Sequence, residues 1–275
     1  MTGIDADRQW SESMPAAYER YLVPVVFRPF ADDLAARAAA LRPRRILELA
    51  AGTGVLTSGL LAAAPSAEVT ATDLNEAMVA LGSVRAPGAV WRQADAQRLP
   101  FPDGGFDLVV CQFGVMFFPD RVAAFTEVRR VLAPGGRFLF NTWGPLATHA
   151  FEAAFQAGLE RAFPADPPRF LPTVPHGYAN PAVVAADLAD AGLAVEEERE
   201  LTLEGRAAST ADVATGYLTG TPVRAAVEAR GGGPAVRAIV IQEMTSRLGP
   251  GPVAAPMTAY VFTGRDAGCQ GVVRR

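Results

Sequence analysis

The first 145 residues alternate short apolar runs with segments in which apolar residues recur every three or four positions. Apolar runs that end at Gly, Pro or Asp are typical of buried strands, and the recurring spacing is typical of amphipathic helices. The predicted strands are residues 44–49, 68–73, 90–93, 106–111 and 138–143, with helices at 55–64, 75–85 and after Asp120. This alternation predicts an α/β fold with a doubly wound parallel sheet, whose ligands bind at the carboxyl ends of the strands.

Beyond Gly144 the alternation is less regular. Helices are predicted over 147–162, 183–191, about 211–229 and up to 248, and strands over 193–203 and 258–263. We therefore predict a single domain made of several parts. These parts are an N-terminal helical lid (1–42), a core (43–145), a substrate cap with the sixth strand (146–255), a last strand (256–264) and a flexible tail (265–275).

Composition narrows the class of protein. The 275 residues are 50% hydrophobic and carry a net charge of −4 without a block of Lys or Arg, so we expect one large core and no nucleic-acid partner. The start has no signal pattern and no apolar run is long enough to span a membrane, which predicts a cytoplasmic protein. Cys111 and Cys269 are the only cysteines, so neither a structural disulfide nor a metal is expected.

The turn after the first strand, Ala50-Ala51-Gly52-Thr53-Gly54, carries the main functional pattern. Small side chains let the backbone approach a ligand closely, and the following helix start directs free N–H groups toward it. A dinucleotide fingerprint needs a third Gly where Thr57 stands, and the chain has no Gly-Lys-Ser/Thr tripeptide. Nicotinamide-dependent and ATP-hydrolysing enzymes are therefore disfavoured.

The turn resembles motif I of the class I S-adenosylmethionine-dependent methyltransferases, with Ala in place of the first Gly of that motif. Asp73-x-Asn75-x-x-Met78, the segment around Asp95 and the Pro134-Gly135-Gly136 element resemble later motifs of this family in the same order. The resemblance covers roughly residues 10–145 and is strongest for the UbiE-like small-molecule group. It implies a Rossmann-like seven-stranded sheet, mostly parallel, with an antiparallel last strand, a helical lid and a cap inserted after strand 5.

The resemblance also implies a cofactor site. In it the turn holds the methionine part of the cofactor, Asp73 accepts the ribose hydroxyls, Met78 packs on adenine and Asp95 faces the adenine amine. The implied cofactor-binding residues are Glu48, Ala50, Gly52, Thr53, Gly54, Asp73, Leu74, Met78, Asp95, Ala96 and Gln112.

The acceptor site is predicted from the N-terminal segment 13–30 and the cap. The segment resembles the leading helices that close over the cofactor in many small-molecule methyltransferases. The candidate substrate-binding residues are Tyr18, Tyr21, Phe30, Trp143 and Tyr178. His149 and His176 are the only histidines and the candidate general bases, expected to titrate near neutrality, with a surface or structural role as the alternative.

The functional hypothesis is in-line transfer of the methyl group of S-adenosylmethionine to an O, N or C atom of a small, quinone-like or natural-product acceptor. S-adenosylhomocysteine is the expected product, and the cap could form a homodimer. Two alternatives use the same ligand: different chemistry on this fold, or a non-catalytic binding role. A nicotinamide-dependent oxidoreductase is a further alternative.

Overall fold

The computed structural model describes residues 14–268, so Ser13, Cys269 and the ends of the predicted lid and tail lie outside the described residues. The strands are β1 (Arg45–Leu49), β2 (Glu68–Asp73), β3 (Val90–Gln93), β4 (Phe106–Gln112), β5 (Leu132–Trp143), β6 (Leu193–Ala207) and β7 (Val253–Asp266). The α-helices are α1 (Met14–Ala17), α2 (Arg28–Ala40), α3 (Val55–Ala63), α4 (Glu76–Arg85), α5 (Arg121–Val131), α6 (Ala150–Ala162), α7 (Phe170–Thr173), α8 (Pro181–Asp190), α9 (Thr210–Gly220), α10 (Val223–Glu228) and α11 (Pro234–Leu248).

The seven strands form one sheet in the order β3-β2-β1-β4-β5-β7-β6. β1 pairs in parallel with β2 and β4, β2 with β3, and β4 with β5, whereas the last strand runs antiparallel. The predicted Rossmann-like α/β fold is therefore confirmed. The carboxyl ends of β1, β2 and β4 lie at one edge of the sheet, as the alternation of strands and helices predicts.

Three predicted helix starts are confirmed by their caps. The side chain of Asn75 accepts backbone N–H bonds from Ala77 and Met78 at the start of α4. Asp120 accepts from Ala123 N at 2.9 Å, and Asn180 accepts from Ala182 N at 3.0 Å. Each cap satisfies an N–H that has no partner within its helix, which fixes where the helix begins.

Other boundaries differ from the prediction. β5 begins at Leu132 rather than 138, so the Pro-Gly-Gly element lies inside this strand, next to a register shift between Phe106 and Leu108. The predicted helix at 211–229 is two helices, α9 and α10, with Pro222 immediately before α10. The N-terminal segment includes a π-helix, Tyr18–Phe27, with Pro24 inside it.

The described chain divides into two compact units. The sheet unit comprises Asp32–Thr142, Asn180–Glu200 and residues 260–268, and the helical unit comprises residues 14–31, Trp143–Ala179 and Leu201–Ala259. In the sheet unit, Phe138 and Phe140 stack at 4.4 Å between ring centroids and Phe262 stacks on Phe140 at 5.1 Å. These aromatic contacts form part of the buried core of the sheet unit.

The helical unit is built largely around the packing of α6 against α11. A Cβ at Gly158 would lie 2.9 Å from Cα of Val240, so the absence of a side chain at this position allows the two helices to approach closely. Within residues 14–268, the helices are too short or too polar to cross a membrane.

Candidate functional site

The turn between β1 and α3 has an unusual backbone. Ala50, Gly52 and Gly54 have φ values of 50°, 56° and 87°, in the left-handed region that glycine adopts most readily. A Cβ built on Gly52 would meet nothing within 4 Å. The turn therefore faces open space at the carboxyl end of β1, where a ligand can approach the main chain.

Glu48 lies behind this turn and is buried. Its Oε2 accepts a 2.7 Å hydrogen bond from the Thr57 hydroxyl, and its main-chain oxygen accepts one of 2.8 Å from the Thr72 hydroxyl. The pKa of Glu48 is raised from 4.5 to about 8, chiefly by burial; the Thr57 hydrogen bond opposes this shift, and the nearby Asp73 carboxylate adds to it. In the free protein Glu48 is thus mostly protonated at pH 7.

Asp73 ends β2 and faces the same turn. One carboxylate oxygen accepts the Gly52 N–H at 2.8 Å and the other accepts the Asn75 N–H at 2.9 Å. Burial raises its pKa, and these backbone N–H bonds lower it. Because a carboxylate has about four acceptor positions, Asp73 can still accept hydroxyl groups of a ligand.

The residues that follow Asp73 have different environments. Leu74 is 44% exposed, whereas Met78 is buried. An exposed Leu is available to cover a flat aromatic ligand. The predicted contact between Met78 and adenine stays a prediction.

The segment that contains Asp95 and Ala96 is fixed by two sets of hydrogen bonds. Asp95 accepts from the main chain of Gln97 at 2.8 Å. From α5, Arg130 donates to the main-chain oxygens of Leu99 and Phe101, while Glu127 accepts the Leu99 N–H at 2.8 Å. Glu127 and Arg130 also pair with each other at 2.7 Å. The sequence pattern did not single out this pair.

Gln112 ends β4 and is partly exposed. Beyond it, Phe113 has a φ of 50°, and its N–H donates to the buried Asn141 side chain at 2.9 Å. A Cβ at Gly114 would lie 2.6 Å from both Ala50 Cβ and Cys111 Sγ. The chain after β4 therefore packs directly against the turn after β1.

The predicted cofactor residues all belong to the sheet unit, and the predicted substrate and catalytic residues all belong to the helical unit. In the helical unit, Trp143 packs edge-on against Phe30 at 5.2 Å and Phe27 at 5.9 Å, and Tyr18 contacts Phe27 at 4.8 Å. Tyr21 instead lies against Arg20. Phe30 and Tyr178 are buried, and the substrate-binding role of all five residues stays a prediction.

His149 and His176 are both buried, with their rings 4.6 Å apart. The pKa of each is lowered to about 4, chiefly by burial. For His176 the charge of Glu152 opposes this shift, and for both rings so does a hydrogen bond to a main-chain oxygen. Titration near neutrality and a position at the surface are therefore excluded, whereas the structural role that was the other alternative agrees with this burial. At pH 7 both rings are neutral.

Two acidic groups missed in the sequence accompany these histidines. Glu152 is buried, and Oε1 of its side chain accepts a 2.5 Å hydrogen bond from the Tyr217 hydroxyl. Burial raises the pKa of both Glu152 and Tyr217. The spacing of His149 and Glu152, three residues apart at a helix start, could have indicated Glu152, whereas the 65-residue separation of Tyr217 gives no local pattern.

Comparisons with known proteins agree with this geometry. Residues 47–140 match the family model described as a methyltransferase domain. The demethylmenaquinone methyltransferase of Thermus thermophilus is 36% identical over 185 residues, which cover 62% of this chain and 83% of that protein. The malonyl-[acyl-carrier protein] O-methyltransferase of Halorhodospira halophila is 40% identical over 152 residues, covering 52% of this chain and 50% of that protein.

The fold is also similar to that of a solved enzyme. Phosphoethanolamine N-methyltransferase 2 of Haemonchus contortus, solved with phosphomonomethylethanolamine and S-adenosylhomocysteine, superposes with a TM-score of 0.59. The alignment covers 94% of this chain and 58% of that protein at 15% identity. At this identity the likeness supports the fold alone.

Proposed function

Since the chain belongs to the class I S-adenosylmethionine-dependent methyltransferases, we propose that it methylates a small molecule and that a quinone-like ring is the acceptor class. The Thermus relative, named for demethylmenaquinone, supports this acceptor class. The Halorhodospira relative is named for a different acceptor, so the comparisons support the reaction more strongly than the substrate.

One observation carries the proposed cofactor site. The open space in front of Gly52 lies beside an Asp73 carboxylate that already holds the turn and still has acceptor capacity. These groups fit the amino-acid tail and ribose of S-adenosylmethionine. The proposed contacts are Glu48, Ala50, Gly52, Thr53 and Gly54 for the tail, Asp73 for the ribose, Met78 for the adenine ring and Asp95 for the adenine amine, with Leu74, Ala96 and Gln112 lining the same site.

The bound cofactor supplies an electrophilic methyl group. The residues of this chain bind the cofactor and the acceptor, orient the two and exclude water. Placement of reacting groups is worth on the order of 7–11 kcal/mol, whereas a general base contributes about 10²- to 10⁴-fold. A histidine with a pKa of about 4 is a weak base at pH 7. We therefore propose that orientation dominates and that neither His149 nor His176 acts as the general base.

Turnover is the direct test of this proposal. The protein is incubated with S-adenosylmethionine and a reduced demethylmenaquinone analogue, and mass spectrometry follows both products. We expect a product heavier by one methyl group, formed in equal amount with S-adenosylhomocysteine. Quinols, phenols and carboxylic acids that carry a thioester are the acceptors to be tried. If the cofactor binds but neither product forms with any of them, a different reaction or a non-catalytic binding role on the same fold is favoured.

A variant of Asp73 tests the cofactor site separately. Asp73→Asn keeps the shape of the side chain but removes its charge and half of its acceptor capacity. Hydrogen bonds to a charged group contribute about 1.5–3 kcal/mol, so we expect roughly 10- to 100-fold weaker binding of S-adenosylhomocysteine by calorimetry. Asp190→Asn, an exposed change at the end of α8, is the matched control. Equal affinity in both variants would contradict the role of Asp73.

A further inference from the structure

Three buried side chains of the helical unit converge on one point. They are His149, Glu152 and His176, and one ligand atom of each lies within 4.8 Å of the others. His149 Nδ1 and Glu152 Oε2 are 4.0 Å apart. His176, at 8% exposed, is the most accessible of the three. The cluster belongs to the helical unit, whereas the turn and carboxylates proposed to hold the cofactor belong to the sheet unit.

Main-chain carbonyls fix which nitrogen of each ring carries the hydrogen. Nε2 of His149 is 2.7 Å from the oxygen of Thr258, and Nδ1 of His176 is 2.8 Å from the oxygen of Gly144. A carbonyl oxygen can only accept, so these nitrogens are the donors. The opposite nitrogens, Nδ1 of His149 and Nε2 of His176, therefore carry lone pairs.

Glu152 adds a third acceptor. Its Oε1 is held by the Tyr217 hydroxyl, but its Oε2 and the Nδ1 of His149 are buried without a hydrogen-bond partner among the described residues. A buried polar atom without a partner is costly, and here acceptors face one another. A shared proton does not resolve this, because 4.0 Å is too long for a hydrogen bond.

We propose that His149, Glu152 and His176 bind a divalent transition-metal ion such as Zn²⁺ or Fe²⁺. Two imidazoles and one carboxylate are a common ligand set for these ions. Metal–ligand bonds of about 2.0–2.2 Å at tetrahedral angles place ligand atoms about 3.3–3.6 Å apart, so atoms that lie 4.0 Å and at most 4.8 Å apart here come within reach of one ion after side-chain shifts of roughly 1 Å. The ligands are also oriented by outer partners, since both histidines donate to carbonyls and Tyr217 donates to Glu152.

This inference differs from the expectation that the chain binds no metal. That expectation depended on the two cysteines, and this cluster contains none. Because the Tyr217 hydroxyl donates to Oε1 of Glu152 and Tyr217 is not one of the three clustered residues, it is a positioning residue rather than a ligand.

Metal binding by the full-length protein tests the proposal. After treatment with a chelator, the protein is titrated with Co²⁺ and the ligand-field bands in the visible spectrum are recorded, followed by competition with Zn²⁺. We expect saturation at one ion per chain. Glu152→Gln should weaken binding by at least about 100-fold, and Tyr217→Phe by about 10- to 100-fold, as outer partners typically do.

Glu160→Gln is the matched control, because it removes the same charge from an exposed position near the end of the same helix. Circular dichroism checks that each variant is folded, and His176→Gln replaces Glu152→Gln if the latter is not. Absence of saturable Co²⁺ binding in the wild-type protein would overturn the proposal. Equal Co²⁺ affinities in the folded cluster variant and in Glu160→Gln would do the same.

Discussion

At the scale of single residues, the contact between Ala50 and Gly114 shows how the cofactor turn depends on small side chains. Ala50 adopts a φ of 50°, a conformation that costs a non-glycine residue about 1 kcal/mol or more. Its methyl group occupies the space that a side chain at position 114 would need. The Ala that replaces the first Gly of the motif is thus matched by a Gly on the neighbouring strand end.

Gly114→Ala should lower the free energy of unfolding by about 1–3 kcal/mol, because the new Cβ would lie 2.6 Å from Ala50 Cβ and Cys111 Sγ. Adding Ala50→Gly removes one of these two clashes and should restore part of the loss. Gly233→Ala is the control, since a Cβ there meets nothing within 4 Å. Urea denaturation of the three variants and the wild-type protein measures these changes, and a Gly114→Ala protein as stable as the control would contradict the packing.

Glu48 predicts a dependence of stability on pH. Its pKa is about 8 in the folded protein and near 4.5 when unfolded, so between these values the folded state binds more protons. Stability from this group is therefore complete below about pH 4.5 and falls by roughly 1 kcal/mol per pH unit up to about pH 8.

Glu48→Gln removes this titration. We expect its stability, relative to the wild-type protein, to increase steadily as the pH rises from 5 to 8. Denaturant titrations at several pH values measure the difference. A constant difference across this range would mean that Glu48 is already ionised in the folded protein.

The residues that could be predicted from the sequence are those whose role follows from a local pattern. Glu48, Gly52 and Asp73 belong to short motifs, and the structure brings them together at one edge of the sheet. Tyr217 could not be inferred in this way, because its contact with Glu152 joins residues 65 positions apart in sequence. The burial of His149 and His176 likewise depends on tertiary packing, and it moves the pKa of each ring away from neutrality.

At the scale of elements, α5 positions the segment after β3. The guanidinium of Arg130 donates hydrogen bonds to the main-chain oxygens of Leu99 and Phe101 and to the carboxylate of Glu127. This geometry requires the planar fork of Arg, which Lys lacks. The segment that carries Asp95 is therefore held by a helix rather than by its own turn alone.

Arg130→Lys should loosen this segment while keeping the charge. We expect about three- to tenfold weaker binding of S-adenosylhomocysteine by calorimetry, equivalent to roughly 1 kcal/mol of lost positioning. Arg129→Lys, the adjacent change on the same helix, alters an ion pair with Asp266 instead and should leave the affinity unchanged. Equal effects of the two substitutions would argue against a positioning role for Arg130.

The bounds of helices and strands were predictable where a capping residue or a regular spacing of apolar residues indicates them. β2 and β3 have the predicted bounds, and α8 begins at the predicted Asn180 cap. The early start of β5 was not predictable, because Pro134 and Gly135 normally indicate the end of an element, whereas pairing with β4 extends the strand through them. Tertiary pairing outweighs local preference at this strand.

At the scale of the whole molecule, cofactor binding should stabilise a defined part of the sheet unit. At 100 times its dissociation constant, a ligand adds about 2.7 kcal/mol to the stability of the state it binds. We expect S-adenosylhomocysteine to slow amide hydrogen exchange at residues 46–54, 68–78 and 94–99. Residues 193–200, in β6 at the other end of the sheet, are the internal control. Slowing confined to the control residues would place the cofactor elsewhere.

The compact units could not be predicted from the pattern of elements. The sequence suggests a lid ending at 42 and a cap starting at 146, whereas the described units change over after Ala31 and after Thr142. The units also exchange within β6 and β7, since residues 200 and 201, and 259 and 260, belong to different units. Strand continuity hides such boundaries from any local pattern. The division into lid, core and cap stays a prediction.

The strand order has a consequence for synthesis on the ribosome. β7 lies between β5 and β6, although both of these strands are translated before it. Until β7 emerges, a nascent chain exposes two unpaired strand edges, which are prone to association with other chains. Completion of the sheet is therefore a late event in biogenesis, and a chain stalled before residue 253 is the species that most needs a chaperone.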